Sequence, residues 1–133
     1  QMLYRPSPDS PRSLWAFAVF GSAGPATALL QTYWQAGVVK KGTFAGRDRD
    51  SIGLAVNSSW ISSAQVAAQY QANALVPGST AVQSSETTIE LNYRLQPAPY
   101  VSLMPNVQYV IQPNGLSSIG NALVFGLQAK VTF

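Results

Sequence analysis

Asn121-Ala122-Leu123-Val124-Phe125-Gly126-Leu127-Gln128-Ala129-Lys130-Val131-Thr132-Phe133 alternates without a miss. Leu123, Phe125, Leu127, Ala129, Val131 and Phe133 fall on one face, with Gly126, Gln128, Lys130 and Thr132 on the other. A period of two is the signature of a β-strand, and here one side is continuously apolar. In a chain that is 47% apolar, six such positions in succession arise by chance about one time in a hundred. A strand of this kind suits the wall of a membrane barrel, where one face meets lipid and the other water. It also suits a half-buried strand of a soluble sandwich, and this stretch alone does not choose between the two.

The same pattern recurs upstream. Glu86 to Gln96 sets Ile89, Leu91, Tyr93 and Leu95 against Glu90, Asn92, Arg94 and Gln96. Val101 to Gln112 sets Leu103, Val107, Tyr109 and Ile111 against Ser102, Met104, Asn106 and Gln108. The tight turn Pro97-Ala98-Pro99 joins them, and pairing across it predicts Asn92 near Met104 and Glu90 near Asn106. Pro105 cannot donate to a ladder, which predicts a bulge or local break at that point. Gln31 to Phe44 and Ser51 to Ser62 alternate as well and read as a hairpin closed by Gly46-Arg47-Asp48-Arg49-Asp50. Leu14 to Ser22 is a further strand whose facing the sequence leaves open, and Gln1 to Arg5 looks like the tail of another. Between Ser63 and Ser85 the alternation gives way to a Ser/Ala/Gln-rich stretch, with room for a short helix over Gln65 to Leu75. Connections that long tend to be functional loops.

The reading is therefore an all-β chain of about seven antiparallel strands. Its connections are alternately short (Pro6 to Ser13, Phe44 to Asp50, Pro97 to Pro99) and longer (Ser22 to Leu30, Ser63 to Ser85, Pro113 to Gly120). Outer-membrane barrels combine short periplasmic turns with longer extracellular loops in this way, which makes 63–85 the long extracellular loop. An odd number of strands does not close a bacterial barrel of this class, and open edges are not tolerated in hydrocarbon. Residues 1–133 are accordingly expected to be one segment, the carboxy-terminal part of a larger wall, and Gln1 is not an initiator. Leu14 to Phe20 does not suit the core of a signal peptide, because Asp9 and three prolines precede it where a basic segment belongs.

Composition narrows the chemistry. The chain has no Cys and no His, which removes disulfides, thiolate chemistry, Cys/His zinc sites and any triad with a histidine base. Only 10% of residues are charged, against about a quarter in soluble proteins. No uninterrupted apolar run is long enough for a membrane-spanning helix. The eight basic residues are dispersed, and Lys40-Lys41 with the self-neutralised Arg47 to Asp50 run make no nucleic-acid surface. Asp48 to Gly53 fails as a calcium loop, lacking the third oxygen ligand and carrying Ser59 where a bidentate Glu would stand. Glycoside hydrolysis needs two carboxylates about 5 to 9.5 Å apart, and Glu86 and Glu90 on one extended strand lie too far from each other. Neither an enzyme nor a bound metal or cofactor is expected.

Four stretches carry a resemblance: Ala36 to Val56, which includes Gly46-Arg47-Asp48-Arg49-Asp50; Ile89 to Tyr93; Leu103 to Val110; and Asn121 to Leu127. Together, in order over about Trp34 to Phe133, they resemble the carboxy-terminal part of the carbohydrate-selective porins of the OprB family. The resemblance implies a bacterial outer-membrane barrel of about sixteen strands that admits sugars by passive diffusion. This chain would supply the last portion of its wall. The family's full eyelet draws on inward loops and strands outside this chain, so no complete site is carried over. The Gly46 to Asp50 motif is a family marker rather than a sugar contact. Phe133 would be the terminal aromatic read by the outer-membrane assembly machinery.

Sugar passage calls for polar groups that exchange hydrogen bonds with hydroxyls and for aromatic faces, all weak and repeated, since a strong site would trap the solute. The candidates for lining the pore and contacting sugar are Glu90, Asn92, Arg94, Asn106, Gln108, Gln128 and Lys130. Glu90 and Arg94 lie about 13 Å apart at roughly 3.3 Å per residue and cannot pair directly. Each is expected to engage other lumen charges, and the alternative is a structural wall network without sugar contact. Trp34, Trp60, Tyr93, Tyr109 and Phe125, with Trp15, are expected to face lipid or form the membrane belt. Tyr33 is the aromatic best placed to stack on a sugar. Partners on this reading are sugar solutes, the lipid bilayer and the assembly machinery, with association into a homotrimer left open. Two other readings remain at this point: a soluble β-domain that binds a partner along a strand edge, and an outer-membrane barrel of another function, such as an adhesin or usher.

Overall fold

A computed structural model describes residues 1–133. Seven antiparallel strands form one sheet in simple chain order: β1 Met2–Tyr4, β2 Ser13–Ser22, β3 Leu30–Lys41, β4 Ser51–Ile61, β5 Ser85–Ala98, β6 Val101–Ile111 and β7 Ala122–Val131. A helix, α1 (Ser63–Leu75), lies between β4 and β5.

Register partners in an antiparallel sheet share a face, so the pairings sort the side chains without ambiguity. One face carries the rows Ala16, Val38, Leu54, Leu91, Val107, Phe125 and Ala18, Ala36, Val56, Ile89, Tyr109, Leu123. The opposite face carries Gly53, Asn92, Asn106, Gly126 and Ala55, Glu90, Gln108, Val124. Nothing covers the apolar face. No hydrophobic residue is buried, and Phe125 and Leu127 are 76% and 72% exposed. In water such a sheet would forfeit the main driving force for folding, whereas in a bilayer its apolar side is solvated by lipid. The sandwich reading of Asn121 to Phe133 fails here, because the apolar sides of β5 and β7 lie side by side across β6 and do not pack on each other.

Three expectations are corrected. The β5–β6 register is Asn92 opposite Asn106 and Glu90 opposite Gln108, two residues from the predicted pairing. β5 runs on to Ala98, leaving only Pro99 and Tyr100 between the strands, and a slide of two preserves which face each residue takes. Pro105 does not break β6. It sits opposite Leu127, and the register on its other side is the same before and after it, Asn92 with Asn106 and Leu95 with Leu103. The irregularity falls later, between Leu95 and Ala98. Finally, β3 ends at Lys41 rather than Phe44, because Gly42 (φ 68°) turns the chain into a compact loop.

That loop ends on a buried carboxylate. Asp50, 3% exposed, accepts from the Tyr93 hydroxyl at 2.5 Å, from the Gln96 amide at 2.8 Å and from Arg47 Nε. Its own carbonyl accepts from the Gly42 amide at 2.8 Å. Arg12 Nε donates to Asp48 at 2.8 Å, tying in the β1–β2 turn. Burial pushes the Asp50 carboxyl up, but the hydrogen bonds from Tyr93, Gln96 and Arg47 outweigh it and hold the group at about 2. The Gly46 to Asp50 motif is thus a clamp joining the β3–β4 turn to β5.

At the opposite end of the sheet the 63–85 segment is built rather than loose. Ser62 caps α1 by accepting from the Gln65 amide at 3.2 Å. Gln69 and Gln83 exchange two hydrogen bonds, at 2.7 and 2.9 Å. Gln83 Nε2 also donates to the Asn114 carbonyl at 2.9 Å, and the Ser84 amide to the Gly115 carbonyl at 2.8 Å. These bonds join the loop to the β6–β7 connection.

Candidate functional site: the polar face of the sheet

Seven side chains singled out from the sequence share the polar face. Glu90, at its centre, uses both oxygens: Oε1 accepts from Asn92 Nδ2 at 2.8 Å and Oε2 from Gln108 Nε2 at 2.7 Å. Its partners are neutral amides, which corrects the expectation that it engages other charges. Asn106 is the register partner of Asn92 and leans away from it, over Gly126. Gln128 stands opposite Met104. Arg94 and Lys130 lie nearer the short-turn end, where with Ser102 they line a hollow of about 120 Å³. The ion pairs of the chain are Arg12 with Asp48 and Arg47 with Asp50, so Arg94 and Lys130 carry their charges without a carboxylate partner. Lys41 shares the row of Ser51 and Arg94. Of the acids on this face Glu86 lies toward the helix end and Glu90 at the centre, whereas the bases Lys41, Arg94 and Lys130 lie toward the short-turn end.

Trp34, Trp60, Tyr93, Tyr109 and Phe125 lie on the apolar face. Trp60 and Tyr109 fall near strand ends, whereas Phe125 falls well inside β7. Tyr93 is anchored through its hydroxyl to Asp50, and its ring meets Phe44 edge-on at 5.9 Å.

Trp15 is the correction among the aromatics. It pairs with Val39, which pairs with Gly53, and this row places it on the polar face together with Phe17 and Val19. Its indole Nε1 donates to Ser13 Oγ at 2.9 Å, and Phe17 lies over Gly37. Tyr33 shares this face and donates to Gln35 Oε1 at 3.1 Å. Trp15 and Phe17 were therefore missed as residues of this face, and Gln35 and Asn57, which alternate onto it, were not among the pore-lining candidates. In β2 both alternating sets are apolar, so period alone is silent, and the register with β3 decides. Carboxylate, carboxamides, cations and aromatic rings laid along one strip can exchange hydrogen bonds with hydroxyls and cover C–H faces.

A one-layer sheet with a lipid-compatible side and a hydrophilic side is a section of outer-membrane β-barrel wall. The chain belongs to the carbohydrate-selective porin, OprB family, which matches it over residues 1–133. It is 31% identical over 132 residues to Porin B of Pseudomonas aeruginosa, covering 94% of this chain and 29% of that protein. It is 32% identical over 117 residues to the putative porin QuiX of Acinetobacter baylyi, covering 81% of this chain and 27% of that one. The structure of Pseudomonas putida OprB at high pH superposes with a TM-score of 0.86 at 32% identity, over 92% of this chain and 31% of that chain. The chain thus spans less than a third of the length of each of these relatives.

Proposed function

We propose that this chain is wall of a pore through which sugars diffuse passively across the bacterial outer membrane, with its polar face lining the lumen. The observation that carries the reading is the Glu90, Asn92 and Gln108 cluster, a carboxylate and two carboxamides set mid-wall behind the apolar rows that run from Ala16 to Phe125 and from Ala18 to Leu123. Membership of the carbohydrate-selective porin family supports sugar as the solute. On this reading Glu90, Asn92, Arg94, Asn106, Gln108, Gln128 and Lys130 line the pore, and Trp15, Phe17 and Tyr33 offer ring surface beside them. Trp34, Trp60, Tyr93 and Tyr109 meet lipid or its boundary, Phe125 meets hydrocarbon, and Phe133 is the assembly signal. The Gly42 to Asp50 turn is periplasmic and the 63–85 segment extracellular. Each polar contact is weak alone, which suits a path that a solute must leave as readily as it enters. The chemistry of this face is passage rather than catalysis.

The test is single-channel recording of the full-length barrel containing this segment, in planar bilayers, with glucose added in steps. The expected result is an open channel whose ion current falls saturably with glucose. A channel indifferent to glucose, or no channel from a correctly folded barrel, would refute the reading.

A further inference from the structure

One row of the polar face reads Gly53, Asn92, Asn106, Gly126 across β4, β5, β6 and β7. The two central residues are register partners, placed for their carboxamides to meet. They do not. Asn92 leans toward β4 and lies over Gly53, where a Cβ would stand 2.7 Å from its Oδ1 and 3.3 Å from its Cγ. Asn106 leans the other way and lies over Gly126, where a Cβ would stand 3.2 Å from its Cγ and closer still to its Oδ1. The pose of Asn92 is also held by its bond to Glu90 at 2.8 Å.

The backbone does not require glycine at either place, because the glycines with positive φ are Gly42, Gly46, Gly78 and Gly115. Glycine inside a strand weakens it and marks a close approach of another group. Here that group is the side chain of the neighbouring strand.

We propose that Gly53 and Gly126 are positioning residues of the pore: the space they leave lets Asn92 and Asn106 lie flat and apart, and so sets how far this wall projects into the lumen. The inference rests on the sugar-pore reading above. An alanine at either glycine forces the far end of the asparagine off the wall. The carboxamide then stands into the lumen, and at position 92 it loses its hold on Glu90. Gly37 is a different case, since a Cβ there would also meet the Leu54 backbone oxygen at 2.8 Å and disturb the sheet itself. Gly21, on the same face in β2, has nothing within 4 Å of its Cβ position and serves as the control.

The experiment measures open-channel conductance in KCl, without sugar, for the full-length barrel and its Gly53→Ala, Gly126→Ala and Gly21→Ala variants, each shown to be folded by heat-modifiable gel mobility. Conductance should fall in the first two and stay at the parent value in the third. The double variants Gly53→Ala/Asn92→Ala and Gly126→Ala/Asn106→Ala should recover it, a rescue that general weakening of the strand would not give. Unchanged conductance in both single variants, or a loss that persists in the doubles, would overturn the proposal. If a single alanine blocks folding, a double that folds supports competition for the same space, and a double that also fails to fold overturns it. A parent barrel that forms no channel would instead count against the pore itself.

Discussion

Replacing Asp50 by alanine is the most demanding test of the clamp between the β3–β4 turn and β5. Three donors lose their acceptor: the Tyr93 hydroxyl, the Gln96 amide and Arg47 Nε. A hydrogen bond to a charged group contributes about 1.5–3 kcal/mol. The Arg47 side chain is 47% exposed, and solvent screening leaves its share small. The three bonds share one carboxylate and are not additive, which puts the total loss at about 3 kcal/mol. Tyr93→Phe removes one of the donors and should cost a measurable part of that loss. In the double-mutant cycle the two changes should be less than additive, because they remove the same bond. The assay is urea titration of the full-length barrel in detergent, read from the folded and unfolded gel bands. Acidity gives an independent reading. The folded-state value of Asp50 is depressed from 3.8 to about 2, so its contribution is complete above the unfolded value and is lost as pH falls through the folded one. The parent should lose more stability than Asp50→Ala between about pH 4 and 2. An alanine variant as stable as the parent, or an Asp50/Tyr93 cycle without coupling, would refute the clamp.

Leu127 and Gln128 are adjacent but face opposite ways. Leu127→Arg should therefore cost about 2–4 kcal/mol of folding into bilayers near the midplane, while Gln128→Arg should be close to neutral, and equal losses would mean the faces are misassigned. Glu90→Ala releases Asn92 and Gln108 from their shared acceptor and should weaken glucose block of the channel several-fold with folding intact; unchanged block would remove Glu90 from the sugar path. Phe133→Glu leaves every strand pair in place, since β7 ends at Val131, but should lower the yield of inserted barrel in cells, and full insertion would end its role as an assembly signal.

Most of the wall was legible in its alternation. From β3 to β7 a polar or small set opposes an apolar one, and the residues chosen from Glu90 to Lys130 indeed share a face. Parity protected that outcome when the register did not hold. Sliding β6 by two along β5 changed the neighbours of Asn92 and Glu90 but turned no side chain over. β2 was opaque for the converse reason, since Trp15, Phe17 and Val19 alternate with Leu14, Ala16 and Ala18 and both sets are apolar. Only its pairing with β3, across the seven-residue connection 23–29, shows which set faces inward. The Asp50 hub was equally out of reach, because it gathers Tyr93 from 43 residues away and Gln96 from 46. Spacing along the chain carries no trace of such contacts.

Every strand in this sheet bonds only to the strand before it and the strand after it in the chain. Such an order can be laid down hairpin by hairpin, each step closing a short loop at small entropic cost. The outer edges of β1 and β7 are left with backbone groups that find no partner within the sheet. In a closed wall both edges are met by strands outside these seven, and until then each is a place where a chaperone or a competing strand would have its opportunity.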